Sequence, residues 1–313
     1  MRAATRRSPL ALWQAEHVAG LLRAVHTDVT VELVAVETEG DQRLDVPISA
    51  LGGKGVFAKQ VQAAVLDGRA DFAVHSAKDL PAVTVEGLAL ASVPERGDAR
   101  DALVGAALDT LADGAPVATG SQRRRAQLAA LRPDLTFSEL RGNMATRLSK
   151  VPEGGAIVVA AVALERLGLG AHLTDVLAVE QMIPQVGQGA LGIECRADDD
   201  ATHALLASIE HGPTRRLVDA ERAFLVELGG DCDLPAGAHA RFVAGDGGID
   251  VEGPTSGPRS GLSSGPLPAI RLNAFLASAG DADAQLVRHR ATGDDPVVLG
   301  TAVARHLRAA LAG

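Results

Sequence analysis

The chain has 313 residues, of which 47% are hydrophobic and 22% charged, and its formal net charge is −9. The length favours two or three domains, and the composition excludes a disordered or fibrous protein. The acidic balance argues against general nucleic-acid binding.

In the first half, helix and strand signals alternate, which predicts βαβ units around a mainly parallel sheet. Ser8 and Pro9 are typical of the start of a helix, here continuing to about His26. Its predicted apolar face consists of Leu12, Ala15, Val18 and Leu22, and Trp13 is expected to pack in its core contact. The next predictions are a strand at 28–37, a helix at 56–68, and strands at 71–76, 88–93, 116–119, 136–140 and 156–160.

The C-terminal third has a different pattern. Two helices, near 200–210 and 213–228, precede a smaller αβ unit with strands near 237–244, 269–278 and 285–290 and a final helix at 295–311. The segment 246–268 is rich in Gly, Ser and Pro, and we interpret it as a surface loop.

The segment VHSAKDLP (74–81) follows a predicted buried strand. Ligands of parallel α/β sheets bind beyond the carboxyl ends of the strands, so Lys78 and Asp79 are candidates to meet a substrate. A surface salt bridge or a simple turn carboxylate is the alternative interpretation of this pair.

Arginines cluster in residues 121–150, where six Arg and one Lys oppose one Asp and one Glu, a net charge of +5. In VATGSQRRRAQL (117–128) three of them begin a helix, where cations oppose the helix dipole unless an anion is bound there. LRGNMATRLSK (140–150) repeats this arrangement. Arg6 and Arg166 are also expected at strand-to-helix junctions, which predicts an arginine-lined cleft.

The two cysteines differ in their surroundings and give no disulfide framework. Cys195 ends an apolar run and is expected to be buried. Cys232 lies in a loop between Asp231 and Asp233, and neighbouring acids raise a thiol pKa. A free nucleophile is therefore disfavoured there, whereas a single covalent attachment is compatible. Neither cysteine has a spacing typical of metal ligands, so no metal is predicted. The N-terminus has no export signal, and we expect a cytoplasmic protein.

Several segments, in their order along the chain, resemble the porphobilinogen deaminase (hydroxymethylbilane synthase) family. They cover roughly the first three quarters of the chain: ATRRSPLALWQAEHV (4–18), LGGKGVFAKQ (51–60), ADFAVHSAKDLP (70–81), ERGDARDALV (95–104), RRRAQLAALRPDL (123–135), LRGNMATRLSK (140–150), VALERLGLG (162–170), QVGQGALGIECR (185–196) and AERAF (220–224).

This resemblance implies an α/β fold with two periplasmic-binding-protein-like (type II) domains, whose mixed, mainly parallel sheets surround a cleft, and a small α+β C-terminal domain. The expected domains are 1–94 plus 190–208, then 97–184, then 212–313. The implied reaction joins four porphobilinogen molecules head to tail, with release of four ammonia molecules and then of the linear tetrapyrrole by hydrolysis. The implied cofactor is a dipyrromethane held by a thioether, and a monomer without nucleic-acid or membrane partners is expected.

Residue by residue, the resemblance makes Asp79 the catalytic acid and Cys232 the attachment point. The residues expected to contact acetate and propionate groups are Lys78, Arg6, Ser8, Thr119, Ser121, Arg123, Arg124, Arg141, Arg147 and Arg166. Lys54, Phe57 and Lys59 would belong to a loop over the site.

The chain departs from the family pattern at several positions. Asp231 replaces a usual glycine before the attachment cysteine, Gly120 removes one hydroxyl from a Thr-Ser-Ser run, and Glu39 replaces an arginine in TRGD. The C-terminal quarter matches only loosely.

Two other classes of protein remain as alternatives. A non-catalytic anion receptor would explain the sheets and the arginines, but not Cys232 in a separate unit. A phosphate-handling transferase would need a nucleotide motif, and no P-loop spacing occurs.

Overall fold

The structure is a computed structural model that describes residues 1–38, 55, 57–229, 235–243, 268–278 and 285–313. Thirteen strands in these ranges form three sheets. The helices are α1 (Pro9–Val25), α2 (Lys59–Leu66), α3 (Gln122–Leu131), α4 (Met144–Leu148), α5 (Ala161–Arg166), α6 (Asp200–Ala207), α7 (Gly212–Glu227) and α8 (Pro296–Ala312). In the described part of the chain, none of them has the length and apolarity to span a bilayer.

The first sheet has the order β2-β1-β3-β10-β4. Its strands are β1 (Arg2–Arg6), β2 (Glu32–Val36), β3 (Phe72–Ser76), β4 (Leu88–Ser92) and β10 (Leu191–Arg196). β1, β2 and β3 are parallel, whereas β10 is antiparallel to both of its neighbours. Phe72 and Val74 belong to the core under α1, and Ala73 between them belongs to the core with α2. Because helices cover both faces, Phe72, Ala73 and Val74 of β3 are all buried and apolar, without alternation.

The second sheet has the order β7-β6-β8-β5-β9. Its strands are β5 (Asp101–Val104), β6 (Pro116–Ala118), β7 (Thr136–Ser138), β8 (Ala156–Ala160) and β9 (Asp175–Val176). Three strands are again parallel, and β5 is the antiparallel one. The two sheets therefore share one design, in which the fourth strand is antiparallel to its two neighbours. Ligand crevices of such sheets lie beyond the carboxyl ends of the parallel strands.

The third sheet is antiparallel and contains β11 (Ala236–Phe242), β12 (Ile270–Ala277) and β13 (Leu286–Gly293). α7 and α8 pack on one face of it, with Phe224, Leu272 and Val303 in a shared core. This smaller α+β unit and the two mixed sheets confirm the predicted fold class, although only half of the pairings within each mixed sheet are parallel.

Most elements lie where the sequence predicts them, but several details were wrong. Leu12 is exposed rather than on the apolar face of α1. Trp13 stacks on His17 outside the core, so its predicted core contact is also wrong. The antiparallel β5 and β10 and the two-residue β9 are not predicted as strands from the sequence, because a short run of residues specifies neither a direction nor a partner strand.

Candidate functional site

Asp79 lies at the carboxyl end of β3, in a single 3-10 turn formed by Ala77–Asp79. Gln185 donates from Nε2 to the carbonyl of Lys78 at 3.3 Å, which holds the turn from one side. Gly187 has a φ of +71°, and a Cβ there would lie 3.1 Å from Ala77. Glycine therefore permits the close approach that fixes the turn. Within the described residues no group donates a hydrogen bond to the half-buried Asp79 carboxylate.

Lys78 connects the first sheet to the second. Its Nζ donates to Oε1 of Gln188 at 3.2 Å. The pKa of Lys78 is lowered to about 8, mainly by burial and then by the charge of Arg124, while Asp79 and Asp101 oppose the shift. The Lys78 ammonium thus interacts with Asp79, next to the first sheet, and with Asp101 and Arg124 at the second. The predicted Lys-Asp pair therefore lies at the junction of the two sheets.

Asp101, the first residue of β5, is a buried carboxylate that was not among the predicted site residues. Its two oxygens lie 2.7 Å from Arg123 Nη2 and 2.7 Å from Arg124 Nη2, and Gln188 Nε2 donates to it at 2.9 Å. Burial alone would raise the pKa of Asp101, but the two arginines outweigh it and lower the pKa to about 2. Both predicted anion-binding arginines therefore have an internal carboxylate partner.

Replacing Asp101 by Asn is expected to destabilise the fold strongly, because two buried guanidinium groups lose their counter-charge. Breaking a buried ion pair from one side costs about 3–5 kcal/mol. The measurement is the urea midpoint at pH 7, with Asp134→Asn as the control. Asp134 also pairs with an arginine, Arg132 at 2.7 Å, but it lies at the surface. Equal midpoints for the two variants would contradict this role of Asp101.

The same ion pair predicts that the free energy of unfolding of the wild type falls at strongly acidic pH. The folded-state pKa of Asp101 is below its ordinary value of 3.8. Its stabilising contribution is therefore complete above that value and disappears as the pH falls through about 2.

Arg6, Arg141 and Arg147 form the cationic part of the site. Burial lowers the pKa of Arg147 to about 10, and the positive charges of Arg124, Arg141 and Arg6 contribute, whereas Asp79 raises it. Arg141 has a buried Nη1 with no hydrogen-bond partner among the described residues, and the Arg6 guanidinium lies 4.1 Å from the centre of the Phe57 ring. Cations that repel one another around a single carboxylate are typical of a site for a multiply charged anion.

Three predicted hydroxyls lie at the starts of helices or beside them. Ser8 and Ser121 are the N-caps of α1 and α3 and accept from Ala11 N and Arg124 N. Thr119 is buried and accepts from Ser121 N at 3.3 Å. Each hydroxyl accepts in these bonds, so its own hydrogen is available to a ligand oxygen.

Arg166 is the last residue of α5, so its predicted place at a strand-to-helix junction was wrong. Its Nη2 donates to Gly189 O at 2.7 Å, and the guanidinium lies 5.3 Å from the Trp13 ring centre. Its described contacts do not include the other predicted site residues. Lys59 is exposed at the start of α2. Lys54, Cys232 and residues 246–267 of the predicted surface loop lie outside the described residues.

The fold and the site define a class: an α/β protein with two like mixed sheets, in which a carboxylate and several guanidinium groups form an arrangement suited to a polyanionic ligand. The comparisons with known proteins are specific. Residues 1–204 match the family model "Porphobilinogen deaminase, dipyromethane cofactor binding domain", and residues 216–309 match "Porphobilinogen deaminase, C-terminal domain". A curated porphobilinogen deaminase from Nitratidesulfovibrio vulgaris is 51% identical over 255 residues, 80% of each chain.

The chain therefore belongs to the porphobilinogen deaminase family of transferases. The resemblance found in the sequence is confirmed, and the match of residues 216–309 extends it into the loosely matching C-terminal quarter.

Solved structures of similar shape include a nutrient binding protein from Burkholderia cenocepacia bound to methionine, with 14% identity and a TM-score of 0.43 over 74% of this chain and 96% of that one. A TRAP periplasmic solute binding protein from Desulfovibrio salexigens has 13% identity and a TM-score of 0.39 over 67% and 72%.

Proposed function

We propose that this protein condenses four porphobilinogen molecules head to tail, releases four ammonia molecules, and then releases hydroxymethylbilane by hydrolysis, as a step of tetrapyrrole (haem) biosynthesis. The observation that carries this proposal is the position of Asp79, which interacts electrostatically with both Lys78 and Arg147. The charges of Arg6 and Arg141 also act on Arg147. An acid at the centre of a cationic site suits a substrate that is anionic at its rim and loses an amine.

The cations match the charge of the substrate. Each porphobilinogen brings an acetate and a propionate group, so the growing chain accumulates carboxylates. Guanidinium groups bind carboxylates in a bidentate manner and stay protonated even when burial lowers the pKa, as at Arg147 with a pKa of about 10. We propose Arg6, Arg141 and Arg147 as the main carboxylate ligands, with hydroxyl support from Ser8, Thr119 and Ser121.

Arg123 and Arg124 receive a second proposed role. Their side chains are less than a tenth exposed and hold Asp101 between them. In addition to the predicted contact with substrate carboxylates, they would fix Asp101 and Gln188 and, through Gln188, the position of Lys78. Arg166, supported by Trp13, is proposed to bind a carboxylate farther from Asp79.

Asp79 would act at the bond that breaks. The protonated carboxyl can give its proton to the departing amine, so the carbon–nitrogen bond breaks and ammonia leaves. The carboxylate that remains stabilises the positive charge on the pyrrole and its methylene group. The positive methylene carbon would then be attacked by the free ring carbon of the next pyrrole, which forms the carbon–carbon bond. The proton lost from that ring carbon would pass to the Asp79 carboxylate, which restores both the pyrrole ring and the acid.

A dipyrromethane fits the residues present. It is built from two substrate units and carries the same carboxylates. The buried Arg141 Nη1, which has no partner in the described part of the chain, is a donor suited to one of them. When bound, this group supplies the pyrrole carbon to which the first substrate is joined. We propose Cys232 as its attachment point through a thioether, with Lys54, Phe57 and Lys59 in the loop over the site.

The proposed organisation follows the three sheets. Domains at 1–94 plus 190–208, at 97–184 and at 212–313 each contain the strands of one sheet. We propose a cytoplasmic monomer without nucleic-acid partners, in keeping with two cysteines and a net charge of −9. An anion receptor is the competing class, and intact-mass measurement separates it from the enzyme. Active wild-type protein should weigh more than its sequence by one dipyrromethane, and a mass equal to the sequence mass would contradict the proposal.

The lowered pKa of Lys78 predicts a pH dependence of substrate binding. The ammonium loses its proton above about 8, so the KM for porphobilinogen should rise up to about tenfold per pH unit above that value. Lys78→Arg keeps its charge at those pH values and should remove most of this rise. Titration of the substrate amine affects both proteins equally and cancels in the comparison. Parallel KM profiles from pH 7 to 9.5 would contradict the role of Lys78.

A further inference from the structure

The turn that carries Asp79 is also held by the C-terminal unit. Arg222, on α7, donates from Nη2 to the carbonyl oxygens of Pro81 at 3.2 Å and of Ala82 at 2.9 Å. These two carbonyls follow Asp79 by two and three residues, and they belong to a unit about 140 residues earlier in the chain. A contact of this kind cannot be seen in the local sequence.

α7 is itself fixed firmly enough to act as a support. Glu221, the residue before Arg222, is fully buried and pairs with Arg96 at 2.7 and 3.1 Å. Its carboxylate also accepts from Gly187 N at 2.7 Å and from Ala240 N at 2.9 Å. One residue thus joins α7 to both connections between the two mixed sheets and to β11, so Arg222 extends from a rigid base.

The Asp79 turn is therefore held from two directions. Gln185 donates to Lys78 O before Asp79, and Arg222 donates to Pro81 O and Ala82 O after it. The fixed φ of Pro81 transmits the constraint, because little backbone freedom is left between the held carbonyls and Asp79. Arginine suits this task, since one planar group can donate to two carbonyls at once.

We propose that Arg222 is a positioning residue for the Asp79 carboxylate, by which the C-terminal unit sets the place of the acid against the substrate. The inference rests on the proposed function of Asp79 and adds to it. The same unit would hold the covalent group through Cys232. The C-terminal unit would therefore position both the Asp79 carboxylate and the attached end of the growing pyrrole chain.

The test compares Arg222→Ala with Arg216→Ala. Arg216 is also on α7 and also donates to main-chain carbonyls, Pro268 O at 2.7 Å and Asp294 O, but these lie within the C-terminal unit. Misplacement by about 1 Å can cost on the order of 100-fold in rate, so we expect kcat of Arg222→Ala to fall about 10- to 100-fold. KM, intact mass and thermal midpoint should match those of Arg216→Ala.

Arg222→Lys, which can donate to either carbonyl, should recover part of the lost kcat. If Arg222→Ala does not fold, Arg222→Lys decides: a kcat several-fold below that of Arg216→Ala supports positioning, and an equal kcat overturns it. The inference is also overturned if Arg222→Ala folds and keeps the kcat of Arg216→Ala, or if its loss lies in KM or in the bound mass. Asp79→Asn, measured in parallel, separates the two proposals, because normal turnover of that variant would refute the proposed function itself.

Discussion

Asp79→Asn is expected to lower kcat by about 10²- to 10⁴-fold, the usual contribution of a positioned acid or base, while the protein keeps its covalent group. The amide retains the size of the carboxyl but can neither give a proton to the departing amine nor offset the charge on the pyrrole. Because the change is isosteric and the side chain is only half-buried, the fold should be preserved. The measurement is steady-state turnover of porphobilinogen, with the bound mass checked on the same sample.

Asp71→Asn is the matched control. Asp71 lies just before β3, whereas Asp79 lies just after it, and Asp71 pairs with Arg2 at 3.0 Å. An isosteric change there alters the charge of the same strand at the end away from the site, and kcat should stay near that of the wild type. Normal turnover by Asp79→Asn, or an equal loss in both variants, would show that the site has another centre.

Cys232→Ala is expected to abolish both the excess mass and the synthesis of tetrapyrrole. Without the thiol no thioether can form, and the first condensation has no anchored pyrrole to extend. The loss should be complete rather than graded, since a covalent bond is either present or absent. Intact-mass spectrometry and a product assay on one preparation measure both quantities.

Cys195→Ala controls for the loss of a thiol. Cys195 is fully buried in β10, where burial raises the pKa of its thiol to about 11, so it is a poor nucleophile. Cys195→Ala should retain both the excess mass and the turnover of porphobilinogen. Retention of the mass by Cys232→Ala, or its loss in Cys195→Ala, would place the attachment elsewhere.

The parts of the site that the sequence predicts are those encoded locally. Ser8 and Pro9 predict the start of α1, and Ser121 predicts the start of α3, because N-cap and N1 preferences depend on a few adjacent residues. Asp79 is found by its place after a buried run of strand residues. Cys195 is correctly expected to be buried, since it ends such a run.

The parts that the sequence does not predict depend on distant pairing. Asp101 is a buried partner of Arg123 and Arg124, yet in the sequence it is one of many acids. The antiparallel placement of β5 and β10 depends on the chain crossing between two sheets. The contact from Arg222 to Pro81 joins segments about 140 residues apart. No propensity or period contains this information, so arginines that look alike in the sequence have different contacts in the structure.

The most direct test of the proposed reaction is the ratio of ammonia to linear tetrapyrrole released by wild-type protein supplied with porphobilinogen alone. Head-to-tail condensation on an anchored group predicts four ammonia molecules for each hydroxymethylbilane, at every extent of reaction after the first turnover. Consumption of porphobilinogen without ammonia, or a ratio that departs from four while product accumulates, would contradict the account.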